Sequence, residues 1–311
     1  MARGGLNRTA AKSRKQHGHH QDLQSLNTKY CTDLPERFNL QAMISDKKSS
    51  FKKITVFAVG PSTKVRGGIS TLVANIRDKC PDHIDFRVVP THSDCKGSDE
   101  NKAERSRLFV QMGVYFAALM QVLAAIPMYR NKIFHVHLSQ EGSTLRKGLI
   151  CILLRTTRCR YLIHTHAAED KLFHPWLPES AKSAILWGLR GCRYCLALTP
   201  FWADYYAERL SLDPEKVIVM PNPADIPSET PERAGRQKLK ILFLGRLGER
   251  KGVFDLIRAF AVLPDEIRRN CQLILAGDGE IQAACTIASI SGCKGQVAIT
   301  GWIDRQEVTR L

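Results

Sequence analysis

A basic, glycine-rich segment is the part of the sequence that says most about chemistry. It runs GRLGERKG from Gly245 to Gly252, between an apolar run and a helix-like pattern, which places Arg246 and Lys251 at the carboxyl end of a predicted strand. Arginine chelates phosphate oxygens and lysine acts as a point charge, so the pair suits a diphosphate. A merely solvated loop is the weaker interpretation, because cations at a helix start oppose the helix dipole. The Gly-Lys-Ser/Thr ending of a P-loop is absent.

Two further glycine pairs follow predicted strands. Gly67 and Gly68 come after the first strand and open a helix, whose N-terminus offers free N–H groups to an anion. Gly277 and Gly279 follow a strand in the second half of the chain. Both positions suit ligand loops, although ordinary turn chemistry explains the glycines equally well.

Two His-x-His pairs end successive predicted strands, His135 with His137 and His164 with His166. Strand alternation places each pair on one face of the sheet. Four histidines so arranged could bind a metal, but no carboxylate has evident ligand spacing. We therefore predict that the protein binds no metal here. His166, at the mouth of its strand, is the predicted ligand-contacting residue. The loop after it adds three weaker candidates, Glu169, Asp170 and His174.

Predicted strands and helices alternate between residues 51 and 222. Apolar runs such as Ile54–Val59 and Ile133–Leu138 are typical of strands buried on both faces, and helical periodicity lies between them. This alternation predicts an α/β fold with a parallel sheet covered by helices. Pro221-Asn222-Pro223 stops the pattern, and the polar residues 223–238 are a predicted linker.

The same pattern restarts in residues 239–311. Three strands are predicted, at Lys240–Leu244, Leu273–Ala276 and Val297–Thr300, and Asp304 begins a helix that the end of the sequence cuts short. A mononucleotide-binding half needs more strands than these. We therefore predict two Rossmann-like domains, the second of them incomplete.

An uncharged segment, Leu108 to Tyr129, is long enough to span a bilayer. However, Gln111 and Gln121 interrupt it, Pro127 lies near its end, and a strand follows at once. We expect a helix buried against the sheet rather than a transmembrane span.

The charge balance favours anionic partners. The chain has 46 Lys and Arg against 30 Asp and Glu, a net charge of +16. Residues 1–50 begin with an acid-free basic stretch without an apolar h-region, so they are a predicted flexible tail and not a secretory signal. An organelle transit peptide or a membrane-surface tether remains the alternative. A cytoplasmic protein, peripheral at an anionic membrane, fits this charge.

Ten cysteines have irregular spacings, and the only Cys-x-x-Cys is Cys192–Cys195. Reduced and mostly buried thiols are the expectation, since no second pair lies at zinc-ribbon distance.

Taken in order, these segments resemble glycosyltransferase family 4. The resemblance covers about residues 53–311, and Gly-Arg-x(4)-Lys-Gly is its most specific element. The segments that carry it are Gly67-Gly68-Ile69, the His166 loop, Thr199-Pro200, Val219-Met220-Pro221-Asn222-Pro223, Gly245–Gly252, Ala276–Glu280 and Thr300-Gly301-Trp302.

The resemblance implies a retaining, nucleotide-sugar-dependent hexosyltransferase of the GT-B architecture, in which two Rossmann-like domains face a cleft. The backbone at Gly67 and Gly68 would meet the donor phosphates, and His166 would contact the donor sugar near the reacting carbon. Arg246 and Lys251 would hold the diphosphate and stabilise its charge. Residues Gly245, Gly277 and Gly279 would line the donor site. No cofactor or metal is implied, and the acceptor, a saccharide or a lipid-linked one as in polysaccharide biosynthesis, would bind the first domain.

One departure from the family concerns a Glu-x(7)-Glu motif, which should follow well after Gly301, whereas the sequence ends at Leu311. We therefore expect a fragment of a longer enzyme or an interrupted, inactive product.

The alternatives to a glycosyltransferase are a sugar-nucleotide epimerase, a metal-dependent hydrolase that uses the histidine pairs, and a non-catalytic binding protein. No nucleic-acid partner is expected, because no zinc finger, RNA-binding aromatic motif or basic recognition helix is evident.

Overall fold

The structure, a computed structural model, describes residues 53–92, 100–166, 172–223, 238–304, 307 and 308, with residues 100–107 described in backbone only. The predicted basic tail, Glu169, Asp170 and the interior of the predicted linker lie outside the described residues. The chain divides into two compact units, Met1–Ala224 and Asp225–Leu311.

The first unit contains a six-stranded sheet in which every pairing is parallel. Its strands are β1 (Ile54–Pro61), β2 (Ile84–His92), β3 (Lys132–Leu138), β4 (Tyr161–Thr165), β5 (Cys195–Ala197) and β6 (Val217–Val219). The order across the sheet is β2-β1-β3-β4-β5-β6, so the direction of strand addition reverses between β1 and β3. Doubly wound sheets bind ligands outside the carboxyl ends of the strands at such a switch point.

Helices connect these strands in the order predicted: α1 (Gly68–Asp78), α2 (Glu100–Met128), α3 (Gly142–Thr156), α4 (Glu179–Arg190) and α5 (Pro200–Leu210). The start of α5 follows from local sequence. The side chain of Thr199 accepts a hydrogen bond from the N–H of Trp202, and Pro200 occupies the first helical position. Helix capping therefore accounts for the Thr199-Pro200 pair without a ligand.

The predicted burial of the first sheet on both faces is confirmed at β3. Every residue from Phe134 to Leu138 is buried. Alternation turns Phe134 and Val136 to one face and His135 and His137 to the other, so the second face carries polar groups into the interior.

The burial expected for the long helix α2 is wrong for most of its surface. Along one face Ala118, Val122 and Ala125 are buried. In the most apolar 18-residue window of Leu108–Met128, however, only 17% is buried, and by length and composition this helix could cross a membrane.

The second unit contains a parallel sheet of order β7-β8-β9. Its elements are β7 (Leu239–Leu244), α6 (Val253–Ala261), α7 (Asp265–Arg269), β8 (Cys271–Ala276), α8 (Ile281–Ile290) and β9 (Val297–Gly301). The short helix α7 was not predicted. At Asp304 the predicted helix start is confirmed, because its Oδ1 accepts from the N–H of Glu307 at 2.9 Å and Glu307 Oε2 accepts from its N–H at 3.0 Å.

Two glycines let α3 and α4 pack closely. A Cβ added at Gly148 would lie 2.4 Å from Cγ2 of Ile185, and one at Gly188 would lie 2.7 Å from Cγ1 and 2.9 Å from the backbone N of Ile152. Real Cβ contacts are longer than these distances, so a side chain at either glycine would push the two helices apart.

We expect Gly188→Ala to lower the free energy of unfolding by about 1–3 kcal/mol, because overpacking outweighs the better helix propensity of alanine. Gly113→Ala is the matched control, since a Cβ there meets no atom within 4 Å. That variant should keep or slightly raise stability. Urea denaturation followed by tryptophan fluorescence measures both, and equal midpoints would contradict the packing argument.

Candidate functional site

The glycine loop of the first unit lies at the switch point of the sheet. It leads from β1 into α1, and Gly67 caps the helix with φ 157° and ψ 158°, a conformation that other residues seldom adopt. No side chain caps this helix start. A Cβ on Gly67 or Gly68 would meet no atom within 4 Å, so the space beside the first amides of α1 is open to a ligand.

The four histidines predicted at the ends of β3 and β4 form one cluster. His137 pairs in register with His164, which puts all four rings on one face of the sheet. His135 Nε2 lies 3.3 Å from His164 Nδ1, and His137 Nδ1 lies 3.1 Å from His166 Nε2. The His137–His166 contact ties the predicted donor-contacting ring to a strand in the core.

Burial keeps these imidazoles neutral. It lowers the pKa of His135 to about 3, of His164 to about 4 and of His166 to about 2, and it lowers the pKa of His137 well below its ordinary value. The neighbouring imidazoles lower the pKa of His166 further. At neutral pH the cluster therefore offers hydrogen bonds but carries no charge.

Lys147 is a functional candidate that the sequence analysis missed. It is 4% exposed, and its Nζ donates to Ser143 Oγ at 2.8 Å. Burial, reinforced by the Arg146 charge, lowers its pKa to about 7, and the ammonium in turn lowers the pKa of His166. Its spacing from the buried Cys151 could have revealed it, because it puts a lysine on the apolar stripe of α3.

The histidine cluster has some features of a metal centre. Ligand atoms of His135, His137 and His164 lie within 4.8 Å of one another, and Nε2 of both His137 and His164 is buried without a hydrogen-bond partner. Imidazole nitrogens suit zinc. The Lys147 ammonium, close enough to depress the pKa of His137, opposes a cation there. That no metal binds stays a prediction.

In the second unit, the loops after β7 and β8 pack on each other. Gly245 N donates to Ala276 O at 2.9 Å, and Glu280 N donates to Leu247 O at 3.0 Å. A Cβ at Gly277 would lie 1.8 Å from Gly245 O, and one at Gly279 would lie 2.3 Å from Leu247 O. Backbone packing therefore requires Gly277 and Gly279, whether or not a ligand binds beside them.

Arg246 and Lys251 both lie exposed at the carboxyl end of the second sheet. Lys251 belongs to a 3₁₀ turn, Glu249–Lys251, and Gly252, with φ 71°, leads from it into α6 without a side-chain cap. Among the residues that the structure describes, neither head group forms an ion pair or hydrogen bond. Two available cations beside uncapped amides make a surface that can bind an anion.

The structure separates the predicted site residues into two groups. Gly67, Gly68 and His166 lie at the carboxyl ends of the first sheet, and Gly245, Arg246, Lys251, Gly277 and Gly279 lie at those of the second. His174 is exposed and packs its ring against Trp176.

The Cys192–Cys195 pair consists of buried free thiols. Burial raises the pKa of both, to about 12 for Cys192, which makes them poor nucleophiles and poor metal ligands.

The buried histidines make the stability of the first unit depend on pH. Because their folded pKa values lie below the ordinary 6.5, the unfolded chain binds more protons as the pH falls. The free energy of unfolding therefore keeps this contribution above about pH 6.5. Below that pH it decreases by about 1.4 kcal/mol per pH unit for each such histidine.

We expect His135→Gln to reduce the slope of the free energy of unfolding against pH between about pH 6.5 and 5, as measured by urea denaturation. The exposed His174→Gln should leave it unchanged, and equal slopes for both variants would contradict the assignment.

Comparison with known proteins adds a family match for part of the chain. Residues 228–311 match the family described as "Glycosyl transferases group 1". No curated protein matches the sequence.

Solved structures show the fold. One similar structure is that of WaaG, a glycosyltransferase involved in lipopolysaccharide biosynthesis, with a TM-score of 0.50, 17% identity and coverage of 82% of this chain and 71% of that one. Another is MnaA of S. aureus in a co-structure with UDP, with a TM-score of 0.50, 13% identity and coverage of 82% and 70%. The chain therefore has the Rossmann-like α/β fold of GT-B glycosyltransferases, and its residues 228–311 carry the match to glycosyl transferases group 1.

Proposed function

We propose that this protein is a glycosyltransferase, which transfers a hexosyl group from a nucleotide-sugar to a saccharide or lipid-linked acceptor with retention. The observation that carries the proposal is the pair of exposed cations, Arg246 and Lys251, beside the uncapped start of α6. This segment lies within residues 228–311, the part of the chain that matches the glycosyl transferases.

The two cations would act on the leaving group. As the bond between the sugar and the diphosphate breaks, negative charge grows on the phosphate oxygens. An arginine fork and a lysine ammonium aimed at those oxygens stabilise that charge without reorganisation. In this proposal no metal is needed, because side chains supply the positive charge.

The neutral histidines would serve the sugar. A glycosyl group develops positive, oxocarbenium-like charge as its leaving group departs. An uncharged His166 can hydrogen-bond a sugar hydroxyl without repelling that charge, and the contact with His137 fixes the plane of its ring. The open loop at Gly67 would leave room for a phosphate against the amides of α1.

Arg246→Ala and Lys251→Ala should each weaken donor binding about tenfold or more, since each removes a charge-assisted contact. Titration calorimetry with UDP-glucose, GDP-mannose and ADP-glucose measures the loss. Arg250→Ala is the matched control, because Arg250 is an exposed cation of the same 3₁₀ turn. An equally large loss of donor binding in Arg250→Ala would mean that the effect comes from the overall positive charge of the loop. That result would contradict the roles assigned to Arg246 and Lys251.

The reaction itself separates transfer from epimerisation. A transferase releases a nucleoside diphosphate when it transfers the sugar of its donor. NMR of the products formed from the nucleotide-sugar detects that release. Conversion of the sugar into its epimer, with the nucleotide still attached, would contradict the proposal in favour of a sugar-nucleotide epimerase.

A further inference from the structure

The outward face of α2 is apolar from Leu108 to Met128, after a charged first part, Glu100–Arg107. Phe109, Met112, Phe116, Met120 and Leu123 follow one another at intervals of three and four residues, so they form one stripe. Their exposed fractions are 73%, 60%, 63%, 49% and 39%. At 100° per residue this outward stripe lies opposite the buried face of Ala118, Val122 and Ala125.

A helix on the surface of a water-soluble protein carries charged residues on its outer face. No charged residue occurs between Leu108 and Met128, and the 21 residues extend about 32 Å. An apolar surface of this length is typical of a face that something else covers. The sheet already covers the inner face, so α2 cannot be surrounded by lipid on all sides, as a transmembrane helix is.

Basic residues lie at the edge of the sheet where this helix ends. Because α2 ends at Met128 and β3 begins at Lys132, the helix end lies at the amino edge of the first sheet. Exposed basic residues precede four adjacent strands of that edge, and we call them the basic edge: Lys53, Arg130, Arg160 and Arg193. The guanidinium of Arg193 lies 5.7 Å from the ring of Tyr194, and within the described part of the chain none of the four forms an ion pair. Three exposed acidic residues belong to the same edge: Asp82 precedes β2, and Asp213 and Glu215 precede β6.

We propose that the outward stripe of α2 inserts into the interfacial layer of a membrane that contains anionic lipids, with the basic edge against the headgroups. An apolar face next to cations matches the two layers of such a surface, acyl chains and phosphates. A second copy of the chain is the weaker partner, because it would bring two basic edges and two net charges of +16 together. This proposal is independent of sugar transfer.

Flotation of the full chain with vesicles tests the proposal. We expect binding to vesicles of phosphatidylcholine and phosphatidylglycerol, weaker binding to phosphatidylcholine alone, and loss of the difference at high salt. Phe109→Glu/Phe116→Glu should weaken binding about tenfold or more, since it removes two inserted rings. Phe201→Glu is the matched control, because Phe201 is 70% exposed on α5, away from the stripe. Arg130→Glu/Arg160→Glu should remove the preference for anionic vesicles.

A second measurement covers any effect of these substitutions on folding. In Phe116→Trp, vesicles should shift the tryptophan emission to shorter wavelength, and brominated lipids should quench it. Unchanged binding of the Phe109→Glu/Phe116→Glu chain would overturn the proposal. A second outcome would also overturn it: the chain does not bind vesicles but forms dimers in sedimentation analysis, and the same double substitution abolishes those dimers. The stripe would then be a contact between copies of the chain.

Discussion

Parallel strand pairing is the constraint on which both candidate sites depend. When neighbouring strands run in the same direction, all their carboxyl ends meet at one edge of the sheet, and the loops that follow them lie side by side. The glycine loop after β1 and the histidines of β3 and β4 are far apart in the sequence but share that edge. In the second sheet the same rule brings the loop of Arg246 against the loop of Gly277.

The first sheet carries unusual polar groups into its interior. Three buried histidines and a buried lysine have no carboxylate partner among the described residues, and ionised groups in such surroundings are costly. The rings avoid this cost by staying neutral. In the proposed reaction, neutral rings suit a sugar that develops positive charge, and the exposed cations of the second unit suit a diphosphate that gains negative charge. The histidine cluster of the first unit thus offers uncharged hydrogen-bonding groups, whereas the second unit offers positive charge.

The helix α2 is a case in which the sequence pattern does not indicate which face is buried. Periodicity identifies the buried face of a helix only when the other face is polar. From Leu108 to Met128 both faces of α2 are apolar, so the sequence predicted a helix buried against the sheet without indicating which face is buried. In the structure Ala118, Val122 and Ala125 face the core. By contrast, the position of α5 could be predicted, because its start depends on Thr199 and Pro200 alone.

Local composition and periodicity are enough to predict the order along the chain of the strands and of every helix but α7, the residues in each loop and the excess of positive charge. The strand order within each sheet, the contact of His137 with His166, the burial of Lys147 and the exposure of α2 are visible only in the folded chain. The folded chain also shows that Gly277 is a glycine because Gly245 O leaves no room for a Cβ. Each of these depends on contacts between residues distant in the chain, and a local pattern of residues carries no information about them.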